Sequence, residues 1–301
     1  MKAVLLKGYG DVDQLKYEEV PTLEPGPDEV LVRVISTSVN PVDFKIRSGA
    51  MKELLPVQFP YILGRDVAGE VVKAGAEVTE LTPGQRVMGL VNKSYAEFLT
   101  AKADVLTIIP EGLDAQQAGA LPLVLTTGAQ LAEHIHPKHG QTVLVTGALG
   151  SVGRTAVYVS KQQGAHVIAG VRADQKHEAE SLHADQVIAL DVDREIESLP
   201  ELDAIADTVG HDVIGKLIPK IKKGGILGSV LGKPKEAEGK DIYVEAFMAE
   251  PDADRLQQLA RAVQRGELTI PIAKTFNLSE AGEAQKLAES GGVNGKILLV
   301  P

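Results

Sequence analysis

The stretch Thr142-Val-Leu-Val-Thr-Gly147-Ala-Leu-Gly150-Ser-Val-Gly153 constrains this chain more than any other. A β-branched apolar run ends at Thr146, glycines follow at 147, 150 and 153, and a helical pattern begins at once. Gly147 permits a tight turn. Gly150 lets backbone N–H groups approach a diphosphate at a helix N-terminus, where the helix dipole favours negative charge. Gly153 lets the helix pack closely on the strand. The spacing is G-x-x-G-x-x-G rather than G-x-G-x-x-G, so a glycine-rich connection without a ligand is the competing reading. The strand before, the helix after and the further strands behind favour dinucleotide binding. Gly147, Gly150, Ser151, Val152 and Gly153 are the candidate contacts.

The pattern around this loop sets the fold class. Strand-like runs at Thr142–Thr146, His166–Val171, Gln186–Leu190, Asp203–Val209 and Gly225–Leu231 alternate with helical segments. The helices are expected at Val152–Gln163, Asp174–Leu182 and Asp212–Ile221. Such alternation with short connections is that of βαβ units on a doubly wound parallel sheet. The first hundred residues differ: short strands (Lys2–Leu6, Glu29–Ser36, Asp66–Ala74) are broken by Pro and Gly turns, giving a mostly β region. Leu113–Ile135 reads as helical. A helix over Asp252–Arg265, capped by Asp252 and stopped by Gly266, precedes strand Ala273–Leu278, helix Glu280–Ser290 and strand Lys296–Val300.

Composition removes several function classes. The 301 residues are 44% hydrophobic, enough for a sizeable core, and carry a net charge of −10. That charge opposes a nucleic-acid surface, which needs clustered Lys and Arg. The chain has no cysteine, which excludes a disulfide framework, a thiolate nucleophile and Cys-ligated zinc. No stretch is apolar and long enough for a membrane span or a signal-peptide core, so a soluble cytoplasmic protein is expected. His134, His136 and His139 lie close together at the end of a helix, where capping or surface roles fit better than metal binding.

Cofactor preference is read at the end of the second strand, Ile168-Ala-Gly-Val171-Arg172. An NAD site usually places an acid there for the ribose 2′-hydroxyl. Here Arg172 stands ready for a 2′-phosphate, with Lys176 one helical turn later, which favours NADP. A solvated Arg and a surface Lys are the alternative.

The N-terminal half carries Val39-Asn40-Pro41-Val42-Asp43-Phe44-Lys45 and Phe59-Pro60-Tyr61-Ile62-Leu63-Gly64-Arg65-Asp66-Val67-Ala68-Gly69. With Pro83-Gly84-Gln85-Arg86-Val87, Ala120-Leu121-Pro122 and Gly295-Lys296-Ile297, these resemble the zeta-crystallin-like quinone oxidoreductase branch of the medium-chain dehydrogenase/reductase superfamily. The resemblance runs from end to end. It implies a GroES-like, mostly β catalytic domain from residues 1–112 and 266–301, and a Rossmann NADP-binding domain over 113–265. It further implies a homodimer, with Gly225–Leu231 and Ile242–Phe247 offering a sheet edge.

Zinc-dependent relatives carry Cys where Asn40 stands and Gly-His-Glu where Gly64-Arg65-Asp66 stands. The resemblance therefore implies a zinc-independent, NADPH-dependent oxidoreductase passing hydride to a small electrophile: a quinone, an enone or an enal. A 2-alkenal or enone double-bond reductase and a non-catalytic NADPH-binding protein remain open alternatives. Asn40 is a candidate hydrogen-bond donor to cofactor or substrate, with an ordinary Asn-Pro turn as the other reading. Asp43 is expected to orient that loop or Arg47, with direct proton transfer as its other role, and Tyr61 to donate a proton, although packing is an equal reading for an aromatic beside Pro60. Thr127, Val209, Ser229, Val230, Leu231 and Asn294 are candidate cofactor contacts, the strand-end residues because ligands sit at carboxyl ends of such strands. The family usually has Tyr where Lys45 stands and often Ser where Arg65 stands, so the substrate mouth is expected to be more basic. The segment around 88–95 is shorter than usual.

Overall fold

The computed structural model describes the backbone of residues 1–301 and every side chain except that of His211. The chain forms two compact units, Met1–Leu123 with Pro251–Pro301, and Val124–Glu250. The changeovers thus fall at Leu123–Val124 and Glu250–Pro251, against expected boundaries near 112 and 265. Helix Ala253–Gln264 belongs to the first unit, where it lies against strand Leu106–Ile108.

In the first unit, strand Lys2–Leu6 is flanked by antiparallel Leu15–Glu19 and Tyr61–Ile62. A larger sheet runs in the order Ile272–Asn277, Lys296–Val300, Glu29–Val39, Asp66–Ala74, Arg86–Leu90, Leu106–Ile108, with Phe98–Lys102 also paired to Glu29–Val39. Val30, Val32 and Val34 alternate inward and meet Val67, Val71, Val87 and Leu99, a period-two core. The C-terminal strand pairs Ile297 with Val39 and Leu298 with Ser38. That register sets Lys296 beside Asn40.

The second unit holds six parallel strands, ordered Gln186–Ala189, His166–Val171, Thr142–Thr146, Leu202–Asp207, Ile221–Ser229, Tyr243–Ala246. Numbered along the unit this is 3-2-1-4-5-6, the Rossmann order, whose switch point lies between Thr142–Thr146 and Leu202–Asp207. Successive residues cover opposite faces: Val143 and Val145 pack with Leu131, Ala156 and Val157, while Leu144 packs with Ile205, Ile214 and Leu217. The expected α/β class with a mostly β unit and a doubly wound unit is what the chain adopts.

Several elements differ from expectation for local reasons. The helix read over 113–135 is two, Ala115–Ala118 and Pro122–His134, because Pro122 starts a helix but cannot continue one. The second expected helix is a short α turn, Lys176–Ala179, between 3-10 turns. The third ends at Leu217 before a 3-10 turn containing Pro219. Helices Pro41–Ser48 and Asp193–Glu197 were not expected. Among the described residues no helix is long and apolar enough to cross a membrane.

Candidate functional site

At the switch point of the nucleotide unit, Gly147 has φ +59°, the left-handed region, and a Cβ there would lie 2.6 Å from Thr208 Oγ1. At Gly153 a Cβ would lie 2.2 Å from the Gly147 carbonyl oxygen, so helix Ser151–Gln162 packs on the loop at a distance only glycine allows. Gly150 is the helix N-cap and is exposed. Ser151, Val152 and Gly153 supply the first-turn N–H groups, which have no intrahelical acceptor. These features form a cradle that fits a diphosphate. Gly128 would meet Val152 O at 2.6 Å if it bore a Cβ, so helix Pro122–His134, which carries buried Thr127, also packs closely here.

Two side chains brace the cradle. Arg154 is 6% exposed; its Nε donates to the Leu149 carbonyl at 2.9 Å and its guanidinium to Glu178 at 2.8 Å. Burial lowers its pKa, opposed by Glu178. Asp207, 1% exposed, gathers three strand ends. Its Oδ1 accepts from Thr146 Oγ1 at 2.8 Å and from the N–H groups of Val209 and Gly210 at 3.2 and 3.0 Å. Its Oδ2 accepts from Ser229 Oγ at 3.1 Å, and Ser229 Oγ accepts from the Leu231 N–H at 3.1 Å. Val209, Ser229, Val230 and Leu231 thus share one set of strand ends, as expected.

Arg172 closes strand His166–Val171 with its side chain 59% exposed, paired only with Asp174 at 3.3 Å. Lys176 differs. Its ammonium donates to both Glu195 oxygens at 3.0 and 2.8 Å, and Glu195 also accepts from the Ala189 N–H at 2.8 Å. That corner holds the Lys176 ammonium between two carboxylate oxygens.

The first unit contains a buried polar cluster at the C-terminal end of strand Glu29–Val39. Asn40 is the N-cap of helix Pro41–Ser48, with Pro41 in the first turn. Its backbone N–H donates to Asp43 Oδ2 at 2.8 Å, the reciprocal half of a capping box. The Asn40 amide turns elsewhere: Nδ2 donates to Asp66 Oδ2 at 2.7 Å and to the Ser38 carbonyl at 3.3 Å, and Oδ1 accepts from Lys296 Nζ. At 1% exposure, both its ends are occupied. Asn40, expected as a donor to cofactor or substrate, thus has protein partners at both ends of its amide and stands as the N-cap before Pro41.

Asp66 is fully buried and satisfied by Ser38 Oγ, Asn40 Nδ2 and, at 2.6 Å, the Leu123 N–H. Lys296 Nζ lies 3.7 Å from it, and burial lowers the lysine pKa against the pull of Asp66 and Asp43. Asp43 is also fully buried. Its Oδ2 accepts from Tyr95 Oη at 3.1 Å, while Oδ1 has no partner among the described residues. Burial raises its pKa to about 7, with Asp66 adding to the rise and Asn40, Tyr95 and Lys296 opposing it. Asp43 thus caps the Asn40 N–H, while Arg47 pairs with Glu289 at 2.6 Å. Tyr61 is half-buried beside these groups. Burial raises its pKa, Arg65 lowers it and Asp43 raises it further. Asn294 is exposed, in the turn before strand Lys296–Val300.

Residues 26–168 match the alcohol dehydrogenase GroES-like domain family, and residues 182–299 the zinc-binding dehydrogenase family. The NADPH-dependent alkenal/one oxidoreductase of Arabidopsis thaliana chloroplasts is 30% identical, covering 100% of this chain and 80% of the relative. The quinone-oxidoreductase QR1 of Triphysaria versicolor is 29% identical over 100% of this chain and 98% of the relative. The solved quinone oxidoreductase of Coxiella burnetii superposes with a TM-score of 0.89 at 30% identity, covering 100% of this chain and 99% of that one. The chain belongs to the quinone oxidoreductase branch of the medium-chain dehydrogenase/reductase superfamily. It is an oxidoreductase scaffold with a nicotinamide-cofactor unit.

Within this oxidoreductase the sequence missed Ser38, Asp66, Tyr95, Lys296, Arg154 and Asp207. Asp66 and Lys296 lay inside quoted motifs, Gly64-Arg65-Asp66 and Gly295-Lys296, and their charges in apolar surroundings were the available signal. Tyr95 and Asp207 carried none beyond a polar residue in or next to an apolar run.

Proposed function

We propose that this oxidoreductase uses NADPH, works without zinc, and reduces a quinone or other activated carbonyl acceptor. The reading rests chiefly on the occupants of the two positions that carry metal ligands in zinc-dependent relatives. Asn40 there is hydrogen-bonded at both ends, to Lys296 and Asp66, and Arg65 offers a guanidinium, which does not ligate zinc. An internal ammonium thus neutralises a corner that would otherwise attract a cation.

Bound NADPH supplies a hydride. The glycine cradle holds its diphosphate through backbone N–H groups, and Arg172 pairs with the 2′-phosphate. Thr127, Val209, Ser229, Val230, Leu231 and Asn294 are assigned to the remaining cofactor contacts. Tyr61, whose hydroxyl has no hydrogen-bond partner among the described residues, donates a proton to the acceptor oxygen as charge develops there. Arg65 lowers the cost of the phenolate left behind. Asn40 and Asp43 act by positioning: they fix the start of helix Pro41–Ser48 and the charge near Tyr61.

The names of two relatives favour a second reading, reduction of an enone double bond: the alkenal/one oxidoreductase and the 2-methylene-furan-3-one reductase of Solanum lycopersicum, each 30% identical. NADPH consumption with 1,2-naphthoquinone, 9,10-phenanthrenequinone and a panel of enones separates the two, run with and without a strong zinc chelator. Turnover that survives the chelator is expected. Tight NADPH binding with no turnover on any acceptor would leave an NADPH-binding protein instead.

The strand Tyr243–Ala246 ends its sheet, and Tyr243 is 66% exposed. We assign it to sheet pairing in a homodimer. Light scattering should show a dimer that Val244→Pro disrupts.

A further inference from the structure

The chain as a whole is acidic, at net charge −10, yet the surroundings of Tyr61 are cationic. The segments 61–65 and 91–95 run side by side, with the Tyr95 N–H donating to the Leu63 carbonyl at 3.0 Å and the Val91 N–H to the Arg65 carbonyl at 2.8 Å. That pairing brings three side chains together. Lys93 Nζ sits 5.9 Å from the Tyr61 ring centroid, and Arg65 is close enough to lower the Tyr61 pKa. Among the described residues, Arg65 and Lys93 have no carboxylate in an ion pair, and Arg65 Nε is buried without any acceptor.

Neighbouring acids leave these charges uncompensated. Asp66 is consumed by Ser38, Asn40, Lys296 and the Leu123 N–H. Asp43 is fully buried, and its Oδ2 already accepts from the Asn40 N–H and the Tyr95 hydroxyl. Lys93 also holds a left-handed backbone, φ +64°, which a residue with a Cβ rarely adopts. Such strain fits a residue presented for contact. Just ahead of Tyr61, Phe59 meets Tyr9 edge to face at 4.8 Å, and the two rings are 38% and 37% exposed. The half-buried Tyr61 ring, with two cations that lack an ion-pair partner beside it, matches a ligand with a flat apolar body and an acidic group.

We propose that Tyr61, Arg65 and Lys93 form the acceptor-recognition corner of this reductase, and that its acceptor carries a carboxylate or similar anion on a flat apolar body. This rests on the reductase reading above. The anion pairs with the Arg65 guanidinium, and Lys93 adds a point charge at the rim. A phosphate of the cofactor is the other anion such a pair of cations suits, so the experiment separates the two sources.

The test compares kcat/KM for 1,2-naphthoquinone-4-sulfonate and neutral 1,2-naphthoquinone with NADPH, in wild type, Arg65→Gln, Arg65→Lys and Lys93→Gln. The ratio between the quinones cancels the higher intrinsic reactivity of the sulfonate. It should fall about tenfold in Arg65→Gln, less in Lys93→Gln, and least in Arg65→Lys, which keeps the charge. An unchanged ratio in both Gln variants overturns the proposal. So does a rise in the NADPH Michaelis constant, relative to NADH, with no change in the quinone ratio, because that assigns the cations to the cofactor. Calorimetric titration with 2-naphthalenesulfonate needs no turnover. Its Kd should rise about tenfold in Arg65→Gln even if no acceptor is reduced, and an unchanged Kd counts against the corner. Absence of turnover on every acceptor thus tests the reductase reading, and the sulfonate affinity tests the corner.

Discussion

The Tyr95 hydroxyl donates to Asp43 Oδ2 at 3.1 Å, with both residues fully buried. This single bond does not offset the burial of the carboxylate, whose pKa rises from 3.8 to about 7. In the unfolded chain the same carboxyl titrates near its ordinary value. Below that value both states hold the proton. As pH rises toward 7 the folded state keeps a proton that the unfolded state has released, so this group's contribution to stability is lost through that window. Asp43→Asn preserves the shape and removes the titration. Between pH 5 and 8, wild type should lose roughly 3 kcal/mol more stability than Asp43→Asn, read by urea denaturation. Identical pH slopes for the two proteins would contradict the assignment.

Lys296 and Asp66 test the buried pair beside Asn40. Lys296→Met leaves Asp66, with no exposed surface, lacking its cation, and should cost about 3 kcal/mol. Adding Asp66→Asn removes the stranded charge. The double variant should therefore be more stable than the sum of the single losses implies, by at least about 1 kcal/mol in denaturant titrations. Strict additivity would show that the two groups do not interact.

Much of this arrangement was readable in the sequence, and the unreadable part has a common cause. Strands Lys2–Leu6, Asp66–Ala74, Thr142–Thr146, His166–Val171 and Lys296–Val300 fall on their expected residues, since alternation and turn residues are local signals. Helix Pro41–Ser48 also had a local signature: Asn40 before Pro41, with Asp43 at the third position. The same residues thus serve as a helix start as well as a site motif. Lys296 and Asn40 are different. They are 256 residues apart, and only the pairing of Ile297 with Val39 brings them together. No spacing rule reaches that far. Lys176 shows the same limit from the other side: its spacing from Arg172 is local, while the Glu195 that holds its ammonium comes from another element.

Gly153 tests the cradle. A Cβ there would lie 2.2 Å from the Gly147 carbonyl oxygen and 2.8 Å from Ala148 Cα, both backbone atoms that cannot swing aside. Gly153→Ala should push the helix off the loop, at about 1–3 kcal/mol in stability. NADPH and NADH affinities should fall together, because the diphosphate is common to both. Fluorescence titration with each cofactor checks this. A loss confined to NADPH would move the 2′-phosphate, rather than the diphosphate, onto the loop.

Arg172 and Lys176 divide the remaining question of cofactor choice. Arg172 is exposed and paired only with Asp174 at 3.3 Å, so a 2′-phosphate displaces little in reaching it. Lys176 would have to leave both oxygens of Glu195, whose pKa is lowered chiefly by that hydrogen bond. Arg172→Ala should therefore lower kcat/KM for NADPH by about tenfold to a hundredfold relative to NADH. Lys176→Ala should move that ratio much less, and act instead on the corner joining Ala189 to helix Asp193–Glu197. Steady-state kinetics with both cofactors in both variants decide the point. A larger change of ratio in Lys176→Ala would mean that the phosphate does pull Lys176 from Glu195, and that Arg172 is a solvated strand end.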